Sequence, residues 1–376
     1  MKKVLFYLLF AAMVFTACEK DDDNDNVFEG NVLGGDLTAS TTLDASVEYT
    51  LDGTLAIKDG VTLTIPAGTV IKAKKGFSNY VIVERGGKII AQGTSGKPIK
   101  FTSAEASPAA GDWGGLVING KAPVSGATAG TEGSTEVNNN LKYGGTDAAD
   151  NSGILEYVIL EYTGAKSTAD VEHNGLTLNA VGNGTKIENI YVPHTSDDGI
   201  ELFGGSVNVT NILVVNPDDD MFDFTQGYTG TLKNAYGVWN AGYTSAEEDP
   251  RGIEADGNLD GNGPTHVGQS NFKVENITIL NNSTFKMTDI IKVRRGATAN
   301  ITNAWVNGGN AAAQLTDVID LTDSKGTAAS ATTILYKDAS GIANTVKNST
   351  PAATLTATDG NTGTDKALFS WTGAAL

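Results

Sequence analysis

The chain has 376 residues, with 44 acidic and 26 basic side chains, a net charge of −18 and a single cysteine. So acidic a protein repels nucleic acid and anionic lipid surfaces and attracts cations. One thiol excludes an intramolecular disulfide, so the fold rests on packing and hydrogen bonds.

The first segment reads Lys2-Lys3, an apolar run from Val4 to Phe15, and then Thr16-Ala17-Cys18. A basic start, a short apolar stretch and a small residue before the cut describe a secretory signal. The run is too short for a membrane-spanning helix, which needs about 20 residues. Cysteine directly after the cut makes residues 1–17 a lipoprotein signal peptide and Cys18 the lipidation site. Glu19 to Asn26 is acidic and poor in apolar residues, so residues 18–30 are expected as a lipidated cysteine and flexible tether. This run resembles the export signal behind the lipidated cysteine of Bacteroidota-type surface lipoproteins. The resemblance implies an outer membrane lipoprotein exposed at the cell surface; a spacer on a periplasm-facing lipoprotein is the alternative. Losing Lys2 and Lys3 takes the net charge from −18 to −20. No later stretch is apolar enough to cross a bilayer, so the expected membrane contact is the lipid alone.

Residues 31–376 read as one all-β domain in which short strands alternate with Gly, Asn and Asp turns. One element recurs as Ile187-Glu188-Asn189-Ile190-Tyr191-Val192, with equivalents centred on Asn211, Asn234, Asn276 and Asn303. A second recurs as Asn174-Gly175-Leu176-Thr177-Leu178, and again from Asp198, Asp220, Arg251, Asp289 and Asp317. Its middle polar residue points outward between two inward apolar ones, as a period of two requires. Spacings near 22 residues suit the coil of a single-stranded, right-handed parallel β-helix, with the asparagines stacked as a ladder at a turn. A propeller blade needs about 40 residues and is disfavoured. Residues of about 240–272 read as an insertion, and 326–376 as a candidate C-terminal cap.

Gly68-Thr69-Val70-Ile71, Gly111-Asp112-Trp113-Gly114-Gly115-Leu116, Asn174-Gly175-Leu176-Thr177-Leu178 and Asp197-Asp198-Gly199-Ile200-Glu201-Leu202-Phe203 resemble a family of bacterial surface or secreted β-helix proteins. Many of its members are lipoproteins, related in fold to the pectin-lyase-like superfamily. The resemblance implies a right-handed β-helix and brings no activity with it.

Stacking coils about 4.8 Å apart turns the outward residues into a column: Thr177, Glu201, Asp223, Glu254, Lys292 and Asp320. Beside it lies a turn column with Asp197, Asp198, Asp219 and Asp220, and Arg251 is a basic neighbour. Adjacent carboxylates must stay solvated, share a proton, recruit a cation or take a base. Three readings follow. The acids serve a polysaccharide lyase or glycoside hydrolase, with or without Ca²⁺; they hold Ca²⁺ or sugar hydroxyls in a carbohydrate-binding protein; or they are a solvated face. Asp197-Asp198-Gly199 matches one polygalacturonase motif, but the Gly-His-Gly motif is absent and Ile291-Lys292-Val293-Arg294 is only a loose echo of the third. Two further features bear on ligands. Asp256, Asn258, Asp260 and Asn262 sit at the alternate positions of a calcium loop, though Val267 stands where its closing Glu belongs. Tyr191, Tyr236 and Trp305 share an outward column that could stack on sugar faces. Taken together, the expectation is a cell-surface β-helix that binds or scaffolds a glycan or partner protein, with the enzyme as alternative.

Overall fold

Alternating apolar residues build the strands, and the turns between them force each chain segment to stack on the last. The computed structural model describes residues 28, 30–168, 171–309, 315–340, 345–348 and 353–376. The signal peptide, Cys18 and the acidic run behind it lie outside the described residues. Among the described residues, 24 strands join into one sheet whose ladder pairings are parallel, and two short antiparallel hairpins stand outside it. This is the expected right-handed parallel β-helix, the hand being the one parallel crossovers favour.

A typical coil begins with Lys186–Pro193, which bends at Asn189 so that Ile187 and Ile190 lie on two different faces. A turn follows, then the third-face strand Ile200–Phe203. Asn189, Asn211, Asn234, Asn276 and Asn303 all adopt left-handed backbone, with φ of 53° to 59°. Asparagine tolerates this conformation better than other side-chain-bearing residues. Each amide Nδ2 donates to the Oδ1 of the coil before it: Asn211 to Asn189, Asn234 to Asn211 and Asn276 to Asn234 at 2.9 Å, and Asn303 to Asn276 at 2.8 Å. The expected ladder is present, and it marks the bend between the first two faces.

The third face is positioned by a close approach to the second. A Cβ on Gly199 would lie 2.4 Å from Val214 Cγ1, and one on Gly175 would lie 2.3 Å from Val192 Cγ1. In the next coil the sizes are exchanged: Met221 takes the glycine position, and Gly237 stands in register with Val214. A Cβ on Gly237 would meet Met221 Sδ at 2.1 Å. Volume is conserved across the pair, which keeps Asp198 and Asp220 in line on neighbouring coils. Inside the solenoid, Phe224 stacks on Phe272 with centroids 4.3 Å apart, and Trp239 Nε1 donates to Pro217 O at 2.7 Å.

Residues 240–272, expected as one insertion, hold the strand Ile253–Asp256, which pairs with Phe222–Thr225 and Met287–Arg294. Two loops flank it instead. The C-terminal segment continues the coils through Thr333–Asp338 and Thr354–Ala357. It then turns back along the second face rather than over the end. Thr364 Oγ1 donates to Ala235 O at 2.8 Å, Phe369 lies on Tyr236 at 6.1 Å, and Trp371 meets Tyr157 edge-on at 5.2 Å. This corrects the aromatic shelf. Tyr191, Tyr236 and Trp305 do lie in one register column, but the returning tail covers it. Tyr236 is only 6 % exposed beneath Phe369, Tyr191 packs against the same cluster, and Gly363 presses on Trp305. The apolar strip is served by the chain's own tail.

Candidate functional site

Two columns run along the third face. The outer one is Val117, Thr177, Glu201, Asp223, Glu254, Lys292, Asp320 and Lys347, in continuous register. The other, three residues earlier in each coil, is Asn174, Asp198, Asp220, Arg251, Asp289 and Asp317. Three-residue spacing lets the two members of one coil touch, as Arg251 does with Glu254.

Charge is balanced in the later coils. Lys292 bridges Asp320 at 2.7 Å and Asp289 at 3.8 Å, and Lys347 bridges Asp317 at 2.5 Å and Asp320 at 3.3 Å. Arg251 binds Asp249 at 2.5 Å as well as Glu254. In the coils of Asp198/Glu201 and Asp220/Asp223 that balance fails. Among the described residues, none of these four, nor Asp219, has a basic nitrogen within 4.0 Å. Asp197 does, 3.6 Å from Lys166, which also holds Glu172 at 2.9 Å and Glu247 at 2.5 Å.

These bare coils form the floor of a cleft of ≈ 470 Å³. One wall is a hairpin of strands Gly133–Thr135 and Asn138–Tyr143. Asn119 Nδ2 donates to Thr135 Oγ1 at 2.8 Å, and Tyr143 OH donates to Gln226 Oε1 at 2.6 Å, fixing that wall to the solenoid. Leu259, Asp260 and Arg294 form the other side. The column expected to face open solvent is therefore half-covered. One oxygen each from Asp198, Glu201 and Asp223 lie within 4.8 Å of one another. Asn174 Nδ2 donates to Glu201 Oε2 at 2.6 Å, while Asp219 Oδ1 and Asp223 Oδ1 are buried without a partner.

Burial, and then the neighbouring carboxylates, raise every acid of the group. Asp198, Glu201 and Asp220 are pushed well above the carboxylate range, Asp219 up to about 7 and Asp223 up to about 8. The cluster therefore holds shared protons near neutrality. The folded state keeps protons that the unfolded chain has already released above its ordinary value of 3.8. Stability should thus fall as pH rises from about 4 to about 8. Asp223→Asn should shrink the loss in melting temperature between pH 5 and pH 8.5. An unchanged loss would mean that these protons are not linked to folding.

The other expected ligands separate from this group. Glu254 is held by Arg251 and Arg294, and Lys292 is spent on acids, so Arg251, Glu254 and Lys292 are framework ion pairs rather than free reactive groups. The calcium-loop reading fails on geometry. Asp256 gives its oxygens to Arg294 at 2.8 Å and Arg295 at 2.6 Å. Asn258 accepts from Gly263 N at 2.7 Å, Asn262 is exposed, and a short 3-10 turn over Leu259–Gly261 carries Asp260 outward. The oxygens of Asp256 and Asn258 are thus already engaged by the chain itself. His173 is buried between Phe77 and Tyr80, with its pKa pushed down to about 4 by burial, and serves packing.

Sequence reading missed the hairpin wall with Glu136 and Tyr143, and Arg294 as a cleft residue. A signal was present. Ladder partners Lys186 and Asn208 are 22 residues apart (208 − 186), whereas Ile89 and Gly153 are 64 apart (153 − 89). The surplus is the material of the wall. The family model described as a pectate-lyase-like beta helix domain matches residues 35–375. No curated protein and no solved structure matches the chain.

Proposed function

The chain belongs to the pectate-lyase-like β-helix family, and from that premise we propose that its acidic cleft binds a polysaccharide strand and hydrolyses a glycosidic bond. The observation that carries this is the pair of adjacent coils whose carboxyls have no basic partner and together floor a cleft. Glycoside hydrolysis needs one carboxylic acid to protonate the leaving oxygen and one carboxylate to activate water or attack the sugar. Glu201 and Asp223, in register on neighbouring coils and sharing protons, supply both forms near neutral pH. Burial holds protons on this pair, and the charge of Asp223 beside Glu201 and of Asp256 and Asp219 beside Asp223 adds to it.

Lyase chemistry fits less well. It needs a free base, and the cleft's one base among the described residues, Arg294, is committed to Glu254 and Asp256. Its floor would also repel a uronate unless Ca²⁺ stood between them. Non-catalytic glycan binding has lost the aromatic shelf that favoured it, because the C-terminal tail covers Tyr236.

The test is a panel of neutral, amino and uronate polysaccharides incubated with residues 28–376, with and without Ca²⁺. Release of new reducing ends supports hydrolysis. Unsaturated ends appearing only with Ca²⁺ would replace it with lyase action, and binding without new ends would replace it with a binding role. The proposed setting is the outer membrane surface, through lipid on Cys18. Cys18→Ala should move the protein from the membrane fraction to the soluble extract; retention in the membrane fraction would rule out the lipid anchor.

A further inference from the structure

We infer that the cleft selects a polysaccharide carrying free amino groups, a cationic amino-sugar polymer, an inference that rests on reading the cleft as a glycan site. Nine acidic residues and one basic residue face its space among those described. A uronate strand would add negative charge to that surface, and a neutral strand would leave the excess uncompensated.

The unpartnered polar atoms point the same way. Those on the cleft floor are Oδ1 of Asp219 and Asp223, and beside them Oδ1 of Asn174; all three are acceptors. Asn174 is 3 % exposed and lines the small space under the hairpin next to Glu136 and Tyr143. Its amide nitrogen is already spent on Glu201, so its oxygen is what remains to be satisfied. Buried acceptors call for a donor, and an ammonium group brings three donors and no acceptor.

The solenoid itself supplies the precedent. Further along the same two columns carboxyls are met by cations of the chain: Arg251 on Glu254, Lys347 on Asp317 at 2.5 Å and Lys292 on Asp320 at 2.7 Å. In the coils of Asp198 and Asp220 no side chain fills that role among those described. A ligand amine would complete the ladder in the register the fold already uses.

Titration calorimetry with a β-1,4-linked glucosamine hexamer, its N-acetylated counterpart and an oligogalacturonate of equal length tests this. The amine oligomer should bind roughly tenfold or more tighter than the N-acetylated one, weaken with salt, and outcompete the uronate oligomer. Glu201→Gln/Asp223→Asn should erase the preference. Asp59→Asn/Asp359→Asn, which removes equal charge from carboxylates 78 % and 102 % exposed, should keep it. Equal binding of the amine and N-acetyl oligomers, or equal loss in both double variants, overturns the inference; cleavage of neutral glycans would then leave the hydrolytic reading intact. Preferred amine binding without cleavage supports the inference and removes hydrolysis.

Discussion

Glu201→Gln should lower the release of reducing ends by roughly 10²–10⁴-fold while leaving the melting temperature unchanged or higher. The amide keeps the size of the carboxyl but cannot deliver a proton to a leaving oxygen or act as a base. It also removes one charge from a group whose members repel one another, so stability should not suffer. Asp223→Asn should behave alike. The informative contrast is Glu254→Gln, one coil further along the same column. Glu254 bridges Arg251 and Arg294, so its loss removes a carboxylate partner from two largely buried guanidinium groups and should lower stability. Thermal melts beside reducing-end assays on all three variants separate machinery from framework. If Glu201→Gln and Glu254→Gln lose activity and stability together, the cleft carboxyls are structural and the proposed chemistry fails.

Asn234→Ala is expected to destabilise the domain by about 3 kcal/mol. The backbone there has φ of 55°, which costs an alanine roughly 1–2 kcal/mol. The two amide bonds of 2.9 Å to Asn211 and Asn276 are also lost, at about 1 kcal/mol each. Asn234→Gly divides the two effects, because glycine accepts the backbone but not the ladder. It should recover about half of the loss. Denaturant midpoints of both variants read the difference, and equal midpoints for Ala and Gly would show that the left-handed corner carries no strain.

Much of the framework was legible because a solenoid repeats its own geometry. The spacing of Asn189, Asn211 and Asn234 foretold the amide ladder, and the pattern Glu201, Asp223, Glu254, Lys292 foretold their register. Stacking maps equal sequence position onto equal direction in space, so periodicity alone orders these columns. The candidate site was only half legible for the same reason. Asp198, Glu201, Asp220 and Asp223 belong to the repeat and were found. Tyr143 and Glu136 belong to a segment that repeats nothing, so no period placed them over the column.

The misreadings share that origin. Tyr236 looked like an exposed platform because its column points outward; its cover, Phe369, comes from 133 residues later (369 − 236). Asp256 matched a calcium loop locally, yet Arg294 and Arg295 reach it from the next coil. Lys292 and Arg251 read as reactive bases, yet Asp320 and Asp289 on neighbouring turns meet them.

By itself, then, the sequence determined the coil, its inward and outward residues, the asparagine corner and the stacked acids, since each follows from local period and turn chemistry. The tertiary structure alone decided which acids keep a base, which are walled into a cleft and which aromatics are covered. Those outcomes depend on where the non-repeating hairpin, loops and tail fold back, and on the burial and charge they impose once there.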